Sequence, residues 1–379
     1  MGTRLADVQY GYPFYITYTR VVRKQKGEMA MRVIRILLVC VILAAILYYV
    51  YEVKDFTGND QDNTAKEHEN ITRDPESRDL KQPDNRLEGD IYGWMNEDVS
   101  DLEDAYGEPV RKDPGRYGYT WWVYNDLDRE YTQFGVKDNR VQTIYTTGEN
   151  ASLKPVAIKE KYNDVQKEFA FEKEITFERN GFKYSFHLSD DDLQVQPLIK
   201  ISDDLFMQFF MDTFTDELVA VRVLTGDILL AMRPYDLKYE GSLPDDKDLS
   251  NKEWEAIQAG MERQILDLTN VFRQQFDKEE LKWDDALHET ALSHSKDMKD
   301  KDYFSHVSPN GNGLSERLMD MDIAYQSAGE NIAADYVDAL AVVAGWLNSE
   351  GHREIMLDDS FTKLGVGVYR DYYTQDYIR

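Results

Sequence analysis

Two histidines and a glutamate, His306, Glu330 and His352, are the residues of this 379-residue chain whose types and spacing could do chemistry together. They lie in the run from 303 to 357, YFSHVSPNGNGLSERLMDMDIAYQSAGENIAADYVDALAVVAGWLNSEGHREIML, with the glutamate between the imidazoles. Two imidazoles and one carboxylate converging in a cleft can hold a divalent cation such as zinc, with one position open for water or substrate. A cation so held would bring the pKa of its water toward ~7 and permit hydrolysis. Without metal, the same side chains make a hydrogen-bonded polar cluster that ties helices to a sheet. The HExxH spacing that places two ligands on one helix is absent, and nothing beyond Glu330 itself identifies a general base. Ser305 adjoins His306, but neighbouring residues usually point apart, so it is not read as a nucleophile.

Several elements must position these groups. Glu316 and Arg317 follow the glycine-rich NGNG loop and open a short helix, where Glu316 suits the positive end of the helix and serves as a cap. Asn331 can bond backbone groups and fix the chain beside Glu330. Upstream, Trp254, Ile257, Met261, Ile265 and Leu268 recur at three- and four-residue steps, one face of a helix running to about Phe276. A second helix follows Trp283, with Leu287, Ala291, His294 and Met298 on one face. His288 and His294 are six apart and do not share a face as a metal pair would, so His294 is read as a packed or edge histidine.

Residues 88–235 have a different character. A short helix is expected between Ile91 and Tyr106 with a cap at Ser100, and GEPVRKDPGRYG reads as turns. TWWVYN, YTQFGV and RVQTIYTT are aromatic and β-branched runs broken by Asn, Asp and Gly, the pattern of antiparallel strands. EITFE, an Asn180–Gly181 turn and FKYSFHL form a second cycle, completed by DDLQVQPLIKI and LFMQFFMDTFTDELVAVRVL, so that the module reads as two related halves. Trp121, Trp122 and Tyr124 are read as core residues, and Asp190, Asp191 and Asp192 as a turn without a calcium loop. A linker over 236–251 separates this α+β module from the helices.

The N-terminal end reads as an export device. Sixteen uncharged residues, ILLVCVILAAILYYVY from Ile36 to Tyr51, follow Arg20, Arg23, Lys24, Lys26, Arg32 and Arg35 and precede Glu52, Asp55, Asp60 and Asp62. With Val33 and Ile34 included and Arg35 snorkelling, the segment approaches bilayer length, and the charge order puts the N-terminus inside and the bulk of the chain outside. No small-x-small cleavage site follows, so an uncleaved signal anchor over 32–53 is expected, a cleaved and secreted form being the alternative. Residues 1–31 are either cytoplasmic or an extension from a start site called too early, with Met29 or Met31 as the initiator. Residues 54–87 are too polar to repay the entropy of folding and make a tether. The one cysteine, Cys40, lies in the apolar run, so the exported part folds without disulfides. The net charge of −27 argues against extended nucleic-acid contact, and 42% hydrophobic residues can fill a core in each of two domains.

From Asn270 onward the chain resembles the CAP superfamily, the SCP-like or cysteine-rich secretory, antigen 5 and pathogenesis-related 1 proteins, in its bacterial form. The resemblance rests on Asn270 and Arg273 in NVFR, Leu281 and Trp283 in LKWDDAL, His294, Ser295, Asp297 and Met298 in HSKDM, and YFSH with SPNG between Tyr303 and Gly311. It continues through Arg317, the Gly329, Glu330, Asn331 triplet, Trp346 in WLNS, the Gly351, His352, Arg353 triplet, LGVGV from Leu364 and YYTQ. Residues 88–235 are similar to the CAP-associated domain that precedes such modules in spore-forming bacteria. The implied fold is α+β: an N-terminal transmembrane helix, the α+β CAP-associated domain and, over 252–379, an α-β-α sandwich with a cleft. The implied pocket contains His306, Glu330 and His352, which could hold a metal. The fourth, acidic place of animal relatives is filled by Ser349, with Glu350 next to it but about 100° away on a helix. These features imply a membrane-anchored, extracytoplasmic binding module for a cell-envelope ligand or protein partner, with a metal-dependent hydrolase as the alternative.

Overall fold

The computed structural model describes residues 87–126, 130–244 and 248–379, together with the backbone of a short strand, β1 (Phe14–Ile16). All of these fall in one compact unit. The apolar run at 36–51 lies outside the described residues, among which no helix is long and apolar enough to cross a membrane.

Successive side chains of a strand point to opposite faces, and in the N-terminal domain both faces are buried. Helix α1 (Val99–Tyr106) leads into β2 (Arg111–Pro114), β3 (Thr120–Asp126), β4 (Glu130–Lys137) and β5 (Arg140–Thr147). Then come α2 (Tyr162–Glu168), β6 (Glu174–Arg179), β7 (Phe182–His187), α3 (Asp190–Val195), β8 (Leu198–Lys200), β9 (Leu205–Asp212), β10 (Glu217–Thr225), α4 (Gly226–Met232) and β11 (Asp236–Glu240). The main sheet is antiparallel with the order β2-β3-β4-β5-β10-β9-β8, and β11-β7-β6 form a second. Trp122, Phe134, Ile144 and Phe209 pack with Leu102 of α1 and Val165 of α2. On the opposite face Trp121, Val123, Tyr145 and Phe210 enter a core that continues into the C-terminal domain.

Four local expectations need correction. The cap of α1 is Asp98, whose carboxylate accepts the Ser100 amide at 3.0 Å; Ser100 instead donates its own hydroxyl to Asp98. The three aspartates at 190–192 open α3, because the Ser189 hydroxyl takes the Asp192 amide and negative charge suits a helix start. The segment read as turns contains β2. The segment read as a linker from 236 begins as β11, paired with β7.

The C-terminal domain starts with α5 (Asn251–Gln275), entered through a Ser250/Glu253 capping box. It continues with β12 (Lys282–Trp283), α6 (Asp285–Lys301), α7 (Leu314–Asp320), β13 (Ala328–Ala334), α8 (Ala339–Leu347), α9 (Glu350–Met356), β14 (Lys363–Tyr369) and β15 (Tyr372–Ile378). Its sheet has the order β1-β13-β15-β14-β12, antiparallel except for the parallel β12–β14 pair. Helix α6 comes very close to β14: a Cβ on Gly365 would lie 2.2 Å from the Leu287 carbonyl carbon, and one on Gly367 would lie 2.0 Å from the Leu292 nitrogen. The opposite face carries α5, whose Ile265 and Leu268 share a core with Leu364, Val366, Val368 and Tyr373.

The two domains are joined by buried polar contacts as well as by this core. Arg222 of β10, fully buried, pairs with Asp338, which also caps α8. Gln264 of α5 donates to Asp113 at 3.0 Å, and Arg111 pairs with Asp267 at 2.7 Å.

Candidate functional site

Register decides what faces the cleft. Glu330 in β13 and Asp376 in β15 are directly opposite in the antiparallel ladder, and both are completely buried. Glu330 accepts a hydrogen bond from His306 Nδ1 at 2.7 Å through one oxygen and pairs with the Arg317 guanidinium through the other. Arg317 also donates to the His306 carbonyl at 3.1 Å, so one side chain holds both the loop and the carboxylate. The loop itself is tied back by Tyr303, whose hydroxyl donates to Asp297 at 2.6 Å. Glu316 accepts the Gly313 amide at 2.9 Å, which closes the first turn of α7 and sets the direction of Arg317. From α6, His294 places Nε2 at 3.9 Å from Glu330, and neither of its ring nitrogens has a hydrogen-bond partner among the described residues.

His352 enters on α9. Its Nδ1 is 2.8 Å from the Ser349 hydroxyl, which explains why Ser349, at the N-cap position of α9, leaves that helix without a side-chain cap. Nε2 of His352 is buried without a partner among the described residues. Asn331, one residue beyond Glu330 and on the other face of β13, donates to the His352 carbonyl at 3.1 Å and fastens α9 to the sheet. Glu350 is exposed.

These surroundings sort the charges. Burial alone would raise Glu330, but the Arg317 charge, the His306 hydrogen bond and the two imidazoles hold its carboxyl well below the usual range. Burial pushes Asp376 well above that range, and the adjacent Glu330 charge adds to the effect. The pair is therefore one carboxylate and one carboxylic acid. Burial lowers His294 to about 4. Burial, and then the nearby His306, lowers His352 to about 4. Both imidazoles are neutral at pH 7.

The sequence reading placed His306, Glu330, Ser349 and His352 in one cleft. In the structure they form two hydrogen-bonded pairs, His306 with Glu330 and Ser349 with His352. The reading missed Arg317 as the counter-charge, His294 as a member of the cluster and Asp376 altogether. The one signal available for Asp376 was its place in the YYTQDYI strand, which reveals a partner only when register is known. Among the described residues no group of three or more His, Cys, Asp or Glu side chains is arranged to hold a metal ion. Both Glu330 oxygens are already engaged by proton donors, so the expected ligand trio does not fit a cation in this geometry.

Fold and cleft define the class: the chain belongs to the CAP superfamily, in the form that carries a CAP-associated N-terminal domain. Residues 95–235 match the family described as CAP-associated N-terminal, and residues 266–378 match the Cysteine-rich secretory protein family. Among individual proteins, it is similar to the "Uncharacterized membrane protein YlbC" of Bacillus subtilis (strain 168), at 40% identity over 289 residues, 76% of this chain and 83% of that one. The "Uncharacterized protein YkwD" of the same organism is 40% identical over 119 residues, 31% of this chain and 46% of its own length. A crystal structure of an extracellular protein containing a SCP domain from Bacillus anthracis str. Ames superposes with a TM-score of 0.73 at 41% identity, covering 83% of this chain and all of that one. A cysteine-rich secretory protein from Staphylococcus aureus shares the fold, with a TM-score of 0.66 at 24% identity over 77% of this chain and 93% of its own.

Proposed function

We propose that this chain is a membrane-anchored, extracytoplasmic envelope protein whose C-terminal cleft binds a ligand without turning it over. The observation that carries this reading is the commitment of Glu330. The ionised carboxylate of the cluster is fully buried, with one oxygen given to His306 and the other to Arg317. A general base must lie within reach of its substrate, and this one is fully buried with both oxygens engaged in holding the cleft together. His306 retains 13% side-chain exposure, and Ser349 is partly exposed. The loop-and-helix unit that carries His306 and Arg317 also exposes Val307, Met319 and Met321. Polar groups and exposed apolar side chains on one loop-and-helix unit suit a small amphiphile.

Equilibrium binding of a fluorescent fatty-acid probe to the full chain tests this. A loss of about tenfold or more in affinity is expected for His306→Ala, the scale of a lost hydrogen bond in a desolvated site. No binding, or binding indifferent to His306, overturns it. A metal-dependent hydrolase is the second reading; it is motivated by Nε2 of His352, buried without a partner among the described residues, and it requires Glu330 to release His306 or Arg317. Stoichiometric zinc in the purified protein, lost in His306→Ala, would decide for it.

For topology, residues 32–53 serve as a single-pass anchor with the C-terminal domains outside, as the name of the Bacillus subtilis relative supports for a membrane location. Protease added to intact protoplasts then removes the C-terminal domain, and a protected domain refutes the orientation. The β1–β13 pairing needs residues 14–16 on the same side as that domain, whereas the anchor puts them on the other side. Accessibility of an N-terminal tag in the same protoplasts separates the two arrangements.

A further inference from the structure

The geometry points to the β9–β10 turn of the CAP-associated domain as the positioning element of the cleft: Asp212 and Thr213 hold the Asn348–Arg353 segment and so set the Ser349–His352 pair. Asn348 immediately precedes Ser349, and Arg353 immediately follows His352. Both neighbours are anchored in the other domain. The Asn348 side-chain oxygen accepts from the Thr213 amide and the Thr213 hydroxyl, each at 2.8 Å, while its nitrogen donates to the Met211 carbonyl at 2.7 Å. Arg353 Nη1 donates to Asp212 Oδ1 at 2.9 Å, and Nη2 lies 2.9 Å from Oδ2. Its guanidinium sits between the rings of Phe214, on the same turn, and Phe276 at the end of α5, at 4.9 and 4.6 Å from their centroids. Asp212 is fully buried and also accepts the Phe214 amide at 2.9 Å, so the carboxylate fixes the turn and the arginine together.

The need for such an anchor follows from α9 itself. It has seven residues, too few to be stable alone, and the Ser349 hydroxyl is diverted to His352 instead of capping it. Within its own domain it is fastened by Asn331 and, at its C-terminal end, by Arg273, which donates to the Met356 carbonyl at 2.7 Å; the restraints on Asn348 and Arg353, the residues flanking the Ser349–His352 pair, come across the domain boundary. A CAP-associated domain placed this way is part of the cleft's construction, which gives a physical reason for the two modules to share one chain. The inference concerns the cleft of the proposed function and rests on that reading for its functional meaning, but the geometry it predicts can be measured without a ligand.

The test uses the full chain labelled uniformly with ¹⁵N, so that the rings of its six histidines and the backbone amides are both read. Asp212→Asn keeps an oxygen for the turn amide and removes the negative charge that faces Arg353; Thr213→Val removes one of the bonds to Asn348. In each variant the His352 ring signals are expected to shift or double, and the amides of 349–353 to exchange about tenfold faster or more, while those of α5 are unchanged. Arg116→Ala breaks a different interdomain pair, with Asp371 at 2.8 Å in the turn before β15, and is expected to leave His352 unchanged. Identical His352 signals in wild type and both turn variants, or an equal response to Arg116→Ala, overturn the inference. A shifted His352 signal together with undiminished fatty-acid binding upholds the positioning and overturns the cleft as the binding site. An unmoved signal overturns the positioning whatever the probe does.

Discussion

Replacing Arg317 by Met keeps the apolar stem and deletes the guanidinium charge that engages Glu330. The partners are 10% and 0% exposed, so water can do little to compensate. At contact and an effective dielectric of ~20 such a pair attracts by about 5 kcal/mol, and breaking a buried pair from one side costs about 3–5 kcal/mol. Because the 2.7 Å hydrogen bond from His306 remains, the lower end, about 3 kcal/mol, is expected. Urea denaturation of the full chain at pH 7, followed by tryptophan emission, measures it. The pH dependence has a definite sign. Glu330 in the native wild type lies below its ordinary 4.5, so its stabilisation is present above that pH and is lost as pH falls through the native value. The deficit of Arg317→Met should therefore shrink below pH 4.5. The double variant Arg317→Met/Glu330→Gln should recover at least half of the loss, since no unpaired charge is left buried. A single-mutant cost below about 1 kcal/mol, or a double variant no more stable than the single one, would refute the assignment of Arg317 as the counter-charge.

Acid should weaken the native state before it reaches the carboxylates. His294 and His352 are held at about 4 by burial against an ordinary 6.5, so their stabilisation is full above pH 6.5 and is lost between 6.5 and 4. The loss is up to about 3 kcal/mol each, and His294→Leu should flatten its share of the slope in urea midpoints taken from pH 7 to pH 4. Gly367→Ala forces a methyl into the backbone of α6 and should cost about 3 kcal/mol or more, read as a lowered Tm. Asp338→Ala strands the fully buried Arg222 and uncaps α8; a loss of about 3–5 kcal/mol in chemical denaturation is expected, against about 1 kcal/mol if only the cap mattered.

How far the sequence reveals this molecule depends on the range of each interaction. The 3.6-residue period from Trp254 to Leu268 predicts α5 because a helix face is a local property, and the aromatic runs of 120–147 predict three strands for the same reason. His306, Glu330 and His352 could be grouped through the ordered motifs of the family, although they are far apart in the chain. Arg317 stood next to Glu316 in the reading, yet nothing local ties it to a glutamate thirteen residues on. Asp376 needed the β13–β15 register, a pairing across 46 residues, before it could be set against Glu330. His294 was expected to be packed, and it is buried, but only the tertiary fold shows that it faces a carboxylate. At shorter range the errors came from competing caps: Asp98 and Ser100 both suit a helix start, and three consecutive aspartates suit a turn as readily as a first helical turn.

The sheet order of the C-terminal domain has a consequence for how the molecule is made. Strand β15 lies between β13 and β14, and every other strand of that sheet precedes it in the chain. Synthesis runs from the N-terminus, so the middle strand arrives last. Until then β13 and β14 have no common neighbour, Glu330 lacks the residue opposite it, and the layers on the two faces have nothing continuous to close upon. The CAP-associated domain, complete by residue 240, can form first and offer the β9–β10 turn as a ready template. Assembly of the cleft is then a late event that waits on β15 and closes against a domain already in place.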